Sequence, residues 1–495
     1  MTRLEFLKSL AAAGAGAFCS GRIFAAPEGW KPPAGARLVL GVMSDTHLRT
    51  DYKGEGPARA FPHKYLVSAL EYFRSQNVDA VIHCGDMAHR GQIRELEFHR
   101  DAWEKVFPGS RLPDGRTVEK LFVSGNHEID GWHYGSPDSG FMVERAFPDP
   151  EERARRIIAT DPAAAWERVW GEKYEGVWHK NVKGFDFFGR HYGVEEMEMA
   201  RLVRKRIGDR MRPFFVLSHV RPHARLNRAM AKYPNALSLF GHWHRSASNW
   251  NIMYDWKGAN ALHVPACAPN GHLALGDDAW ITPVQLDGAG VENAGSSRQG
   301  YVIRIYDDMV AISRREFSEG GSLGKDWIMP FGKHDPHPFS KEELKKRIGA
   351  PQFRAGAKLE VEKVANARMS PNANIQSRLE TGNIGIGNTG NIVVKIPLAD
   401  GNPDSRVYAY EIGVAGAEPG KKLLKAVYAA GCNMGIGHEP GGGETVVEIP
   451  LAELPAPCAR LAVSAVPLSS LGTRGAAIET VLELPERKGE GGRAT

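Results

Sequence analysis

Leu121-Phe122-Val123-Ser124-Gly125-Asn126-His127-Glu128 is an apolar run that stops at a glycine and then presents an amide, an imidazole and a carboxylate. Such a run reads as a buried strand entering a tight loop, and in open α/β sheets ligands gather beyond the carboxyl ends of the strands. The pattern recurs along the chain. Val39–Ser44 precedes Asp45 and His47, and Ala80–Cys84 precedes Gly85-Asp86. Phe214–Ser218 delivers His219, and Leu237–Gly241 delivers His242 and His244 on either side of Trp243.

Between these runs the spacing predicts helices. Leu66, Ala69, Leu70 and Phe73 recur at helical intervals before Val78 opens the next strand, and Ile93, Leu96, Trp103 and Phe107 share one face before Pro108-Gly109. Strand, helix, strand alternation predicts an α/β fold built on a largely parallel sheet covered by helices. A long insert separates Glu128 from His219; Trp132, Trp166, Trp170 and Trp178 within it read as packing residues, since large aromatics mainly supply buried area. Leu202, Val203 and Ile207 predict an amphipathic helix whose Arg204-Lys205-Arg206 run is its solvated face.

A chain of 495 residues exceeds the about 100–200 residues of one ordinary domain, so at least two units are expected. With 42% hydrophobic and 24% charged residues the balance is that of a folded protein, and a formal charge of +5 without a basic helix or Lys/Arg block gives no nucleic-acid-binding surface. Residues 1–26 combine Arg3 and Lys8, a short apolar core and small residues before the cut, and read as an export signal placing the protein in the periplasm or outside the cell. The apolar stretch is too short for the about 20 residues of a spanning helix, so none is expected in the mature chain. The segment Thr2–Lys8 resembles a twin-arginine signal with Leu4 in place of the second arginine, which leaves folded and threaded export both open. Cys84 and Cys267 read as small buried hydrophobes, while pairing of Cys432 with Cys458 is left open.

Two carboxylates, an amide oxygen and four imidazoles form a mixed oxygen and nitrogen shell suited to two divalent transition metals, which together clamp a phosphoryl group and activate water. Asp45-x-His47, Gly85-Asp86, Gly125-Asn126-His127-Glu128, His219 and Gly241-His242-x-His244 resemble, in order, the motif series of the calcineurin-like metallophosphoesterases. The resemblance implies an α/β/β/α sandwich and hydrolysis of a phosphoester substrate by metal-bound hydroxide. It also implies that Asp45, His47 and His244 hold one metal, that Asn126, His219 and His242 hold the other, and that Asp86 bridges them. By the same resemblance His127 donates to the leaving or phosphoryl oxygen, with Glu128 orienting it. Mn, Fe and Zn all fit this shell. The purple acid phosphatase branch carries a tyrosine where this chain has His89, so a tyrosinate-bound ferric iron is not expected; His89 reads as a loop or substrate-side residue, and Arg49 and Arg90 follow the same loops. The alternative is a non-catalytic exported surface or adhesion protein using the metallo-domain as a scaffold, which a missing ligand would have favoured.

The catalytic region is expected over residues 35–335, with Tyr301–Tyr306 and Val310–Arg314 forming a hairpin that completes a second layer of the catalytic sheet. A Pro- and Gly-punctuated linker follows over 336–351, with a short helix from Lys341 to Ile348. Residues 352–485 alternate short β patterns with turns, clearest at Val393–Pro397, Arg406–Ile412 and Leu461–Val466, and predict a C-terminal all-β, sandwich-like domain. The Gly-rich stretch 384–390 lacks the lysine and strand-to-helix setting of a phosphate cradle, and 486–495 is a polar tail. Neither oligomeric state nor the identity of the ester is encoded in these patterns.

Overall fold

The computed structural model describes residues 35–50, 60–130, 147–248, 253–256, 259–267, 298–318, 320–364, 390–401, 406–416, 422–436, 443–454 and 459–484. The expected export signal, Trp132, most of the Gly-rich stretch, Cys458 and the polar tail lie outside the described residues. Among those described, no helix is long and apolar enough to cross a membrane.

Two compact units emerge. The first holds the described residues up to Cys267 together with 298–347 and 433–436; the second holds those of 348–432 and from 443 onward. In chain order the first unit contains strands β1 (Leu38–Met43), β2 (Ala80–His83), β3 (Glu119–Phe122), β4 (Val177–Val182), β5 (Phe185–Arg190), β6 (Phe214–Ser218), β7 (Ala236–Phe240), β8 (Met253–Trp256) and β9 (Ala259–His263). Strands β10 (Gln299–Ile305), β11 (Met309–Glu316), β12 (Gly321–Ser322) and β13 (Trp327–Pro330) complete it. Its helices are α1 (Ala60–Ser75), α2 (Ile93–Val106), α3 (Asn126–Ile129), α4 (Pro150–Arg156), α5 (Pro162–Trp170), α6 (Glu196–Arg206) and α7 (Ala224–Met230); α8 (Lys341–Ile348) lies at the unit's end.

These strands form two mixed sheets. One runs β12-β11-β10-β1-β2-β3, with β13 also on β11; the other runs β4-β5-β6-β7-β9-β8. Strands β1, β2 and β3 are parallel, as are β5, β6, β7 and β9. Helices cover one face of each sheet. Met43, Val81 and Phe122 pack with Leu66, Leu70 and Phe73 of α1 and with Leu96 and Trp103 of α2, while Phe188, Phe214 and Val216 pack with Met199 and Val203 of α6 and Leu226 of α7. The alternate residues Leu40, Val42, Ile82 and Leu121, and on the other sheet Phe187, Phe215 and Leu217, are fully or almost fully buried between the sheets. Burial on both faces is why these strands read as continuous apolar runs instead of alternating ones. Each large side chain so placed contributes about 1.5–3 kcal/mol. Gly41 is required here, because a Cβ would stand 2.5 Å from the Phe73 ring.

The two sheets, each with helices on one face, agree with the expected α/β fold, and both are mixed where a largely parallel sheet was expected. Two details change. The hairpin β10–β11 does not complete the second layer: β10 pairs antiparallel with β1, Leu40 opposite Ile303, and extends the first sheet. The long insert also supplies sheet, since β5 pairs parallel with β6 and β4 forms the edge. Trp166, Trp170 and Trp178 are buried packing residues, as read.

The second unit is all antiparallel. Its strands are β14 (Gln352–Phe353), β15 (Glu360–Val364), β16 (Asn391–Ile396), β17 (Ala399–Asp400), β18 (Ala409–Ala415), β19 (Lys422–Tyr428), β20 (Thr445–Pro450), β21 (Arg460–Leu468) and β22 (Ile478–Glu483). They form sheets β15-β16-β20, β19-β18-β21-β22 and β14-β17. Along β20, Thr445, Val447 and Ile449 are buried while Val446 and Glu448 are exposed, the period-two pattern of a sheet with one covered face. Tyr410 ties the layers locally, its hydroxyl donating to Pro397 O and accepting from Ala399 N.

Candidate metal centre

Parallel register sets the site. Met43 lies opposite His83 and His83 opposite Phe122, so the loops after β1, β2 and β3 leave the first sheet at one edge. In the second sheet Leu217 lies opposite Leu239, so the loops after β6 and β7 leave together as well. A bridge between Ser44 and Ala266 and the hydrogen bond from Asp45 N to Gly85 O knit these loops side by side.

The loops are strained in a consistent way. Asp45, His47, Asp86, His242 and His244 all have positive φ, at 53°, 45°, 57°, 72° and 50°. For residues with a Cβ this conformation costs on the order of 1–3 kcal/mol each, a cost that persists where surrounding structure enforces it. Each kink turns a side chain inward immediately after a strand. Glycine allows the close approach: a Cβ on Gly125 would strike the Asp86 carboxylate, and one on Gly241 would meet Ser44 and Asp45.

Seven sequence-predicted residues are gathered in two overlapping clusters. Asp45, His47, Asp86 and His244 offer donor atoms within 4.8 Å of one another, and so do Asp86, His219 and His242. Asp86 is common to both. Asn126 joins the second, its amide oxygen 2.8 Å from His219 Nε2 and 3.0 Å from His242 Nδ1. His127 belongs to neither of these clusters; it stands beside His47, ring centroids 4.5 Å apart, in a third group with His47 and His89.

Hydrogen bonds fix the tautomers. His219 Nδ1 donates to Cys84 O at 2.8 Å, so in the neutral ring Nε2 carries a lone pair. That lone pair faces other acceptors: Asp86 Oδ2 at 3.1 Å, the Asn126 oxygen, and His242 Nδ1 at 3.2 Å. On the other side His47 Nε2 and His244 Nε2 approach to 3.1 Å, with Asp45 Oδ1 3.1 Å from His244. Lone pairs converging in a buried space call for a cation. His219 reports the same demand, since burial opposes its charge yet Asp86 and Asp45 raise it to about 9. Burial likewise opposes ionisation of Asp45, and the imidazoles of His244, His219 and His47 outweigh it, holding the carboxyl well below its ordinary range. Burial, then His244 and His127, keep His47 neutral. The donor chemistry therefore fits divalent transition metals.

Glu128 does not orient His127. Its Oε2 accepts from Gly125 N at 2.6 Å and Asp86 N at 3.0 Å, and its Oε1 from Ala88 N at 2.7 Å. The carboxylate pins the Asp86 loop to the Asn126 loop, and burial together with Asp86 pushes it up to about 8. His127 Nδ1 instead donates to the carbonyl of His89 at 2.7 Å. His89 is buried, with Nδ1 3.3 Å from His47 Nδ1, so it packs behind a ligand-type imidazole. Burial, then Arg49 and His127, lower it to about 2. Arg49 and Arg90 are half-buried in the same loops.

The sequence reading missed two supports. Glu95 of α2 is fully buried and accepts from Thr50 N, His89 N, Arg90 N and Gln92 N at 2.8–3.3 Å, holding the loops after β1 and β2 together. The signal was available, since Gln92 and Glu95 have capping-box spacing at the helix start. His83 accepts from Gly85 N at Nδ1, so its Nε2–H donates to Thr46 Oγ1 at 3.2 Å. Its polarity at the end of an apolar strand was the only hint.

Residues 38–246 match the family model described as calcineurin-like phosphoesterase. Among solved structures, a dimetal phosphatase from Danio rerio is similar at 11% identity and a TM-score of 0.32, over 60% of this chain and 100% of that one. A purple acid phosphatase from yellow lupin seeds is similar at 13% identity and a TM-score of 0.37, over 59% of this chain and 53% of that one. A novel archaeal phosphodiesterase is similar at 15% identity and a TM-score of 0.22, over 51% of this chain and 94% of that one. No curated protein matches the chain. Residues 38–246 are therefore a calcineurin-like phosphoesterase domain.

Proposed function

We propose that this protein hydrolyses phosphoesters with two divalent metal ions, Mn, Fe or Zn. The observation that carries the reading is the single carboxylate of Asp86 shared by two donor clusters. Asp45, His47 and His244 would hold one ion, Asn126, His219 and His242 the other, and Asp86 both. Bound there, the ions would neutralise phosphoryl charge and activate water.

The chain's own residues supply the rest. Glu128 and Glu95 hold the ligand loops in register through backbone N–H groups, which keeps the donors in place before substrate arrives. His219 and His127 are each fixed by a carbonyl on Nδ1, so both present Nε2 as the working atom. For His219 that atom faces the donors. For His127 it is the position that holds or moves a proton, which suits donation to a leaving oxygen or to a phosphoryl oxygen.

The test is reconstitution. Metal-stripped protein loaded with Mn²⁺ should bind two ions per chain by mass spectrometry and hydrolyse a nitrophenyl phosphate monoester or diester. Asp86→Asn should bind fewer ions and lose activity, because the shared charge screens two cations from each other. Full metal content and rate in Asp86→Asn, or no hydrolysis of either ester by the two-metal protein, would sink the reading.

A further inference from the structure

Between α6 and α7, on the helical face of the second sheet, lies a cavity of about 690 Å³ that contains none of the metal-type donors. Four of its lining residues are cations: Arg204 from α6, Arg225 and Arg228 from α7, and Lys232 just beyond it. Arg225 and Arg228 stand at i and i+3 on α7, so one helical face turns both into the groove, and the turn after the helix brings Lys232 beside them. No carboxylate lines it, and among the described residues none of the four cations forms an ion pair. Arg228 makes only a local bond, Nε to Ala224 O at 3.3 Å. Glu196 of α6 is engaged elsewhere: it accepts from His223 N at 2.7 Å and lies 4.0 Å from Arg190. Met197 and Tyr233 give the groove an apolar floor.

Four like charges converging in one concavity repel each other, whereas Arg156, Arg168 and Arg212 of the same unit each lie against a carboxylate, of Glu152, Glu97 and Asp186. Four cations lining one concavity that no carboxylate lines raise its local positive potential, which points to a ligand that supplies the missing charge. Guanidinium groups in a concave site match phosphate oxygens in geometry as well as in charge.

We propose that the groove between α6 and α7 binds a phosphate-bearing anion carrying several negative charges, at a site separate from the metal centre. The charge complement is that of linked phosphates or of clustered phosphate headgroups, with Met197 and Tyr233 meeting the less polar part of the ligand.

The test uses the full chain with two probes, inorganic tripolyphosphate and vesicles of phosphatidylglycerol, with phosphatidylcholine vesicles as the neutral comparison. Calorimetric titration and vesicle sedimentation are run on the wild type, on Arg225→Glu/Arg228→Glu, and on Arg201→Glu/Lys205→Glu, which makes the same charge change on α6 outside the groove. The groove double variant should weaken tripolyphosphate binding by about tenfold or more, while the outer variant changes it little and both keep the wild-type melting temperature and hydrolysis of a nitrophenyl ester. Loss confined to the groove variant with anionic vesicles alone identifies the phosphates as those of a lipid surface and also supports the site. The neutral Arg204→Gln should weaken binding in the same direction with less risk to folding. Equal losses in both double variants mean general charge attraction and overturn the proposal. Binding untouched by the groove variant would place the anion at the metal loops and overturn it too, as would no binding to either probe.

Discussion

His127 and His242 are both imidazoles at one edge of the sheets, and they differ in what holds them. His242 lies within the cluster of Asp86, His219 and Asn126, its Nδ1 3.0 Å from the Asn126 oxygen. His127 lies outside the clusters that share Asp86, anchored through Nδ1 to the His89 carbonyl. A donor atom and a proton carrier fail differently. His127→Ala should keep both metals and slow turnover by about 10²–10⁴. The loss should be largest for a poor alkoxide leaving group and smaller for nitrophenolate, which departs without a proton. His242→Ala should instead lose metal and with it activity on every ester alike. Metal analysis beside rates on two leaving groups separates the outcomes: equal losses for His127→Ala with metals retained would make it a phosphoryl-oxygen donor, and lost metal would make it a ligand.

At the scale of the element, α2 carries a polar line on its buried face. Glu95 is satisfied by four loop N–H groups, but His99, one turn further, has both ring nitrogens buried without a partner, packed edge-on against His83, Phe122 and Trp170. Burial lowers its folded-state value from the ordinary 6.5 to about 3. The sign follows: below 6.5 the unfolded chain takes a proton that the folded chain refuses, so this contribution to stability is present above 6.5 and is lost as pH falls towards 3. A phenyl ring fits the same aromatic surroundings and has nothing to titrate. His99→Phe should raise stability by about 1–3 kcal/mol at neutral pH, the cost of an unpaired buried polar group, and flatten the fall in melting temperature between pH 6.5 and 3. An unchanged acid slope would show that His99 is not among the groups that set it.

At the scale of the molecule, the two units do not follow one cut in the chain. Asn433–Ile436 belongs to the first unit although the residues on either side belong to the second. Within that unit Gln299 Nε2 donates to Asn433 O at 2.8 Å, while its Oε1 accepts from Ala247 N at 2.7 Å and Ser246 Oγ at 3.2 Å, on the loop that follows His244. Ile436 N also donates to Ser322 O at 2.9 Å. Ending the chain at residue 347 removes that segment and with it the bonds from Gln299 Nε2 to Asn433 O and from Ile436 N to Ser322 O. The shortened protein should therefore lose about 1–3 kcal/mol of stability in its first unit, read as a lower melting temperature, while retaining the residues of both donor clusters and hence metal binding. A first unit that melts as the intact chain does would show that the segment carries no weight.

The chemistry of the site was legible locally because each strand ends where its apolar run ends and each donor follows within a few residues. Asp45, His47, Asp86, Asn126, His219, His242 and His244 could thus be named from short motifs, and the stripe of Leu66, Ala69, Leu70 and Phe73 fixed the face of α1. Strands β4 and β5 were not legible, since runs as short and charged as Val177–Val182 become strands only by pairing with β6 and its neighbours. The role of Glu128 was decided by the fold as well: its partners Asp86 and Ala88 lie 42 and 40 residues away, and a motif of four residues says nothing about them. The same holds for the buried Glu95 and for the cations that meet between α6 and α7. Sequence determined which residue types stand at the strand ends, because strand and loop are local choices of the chain. Which lone pairs face each other, and which charges are left unpaired, only tertiary structure decided, because both depend on contacts between segments far apart in the chain.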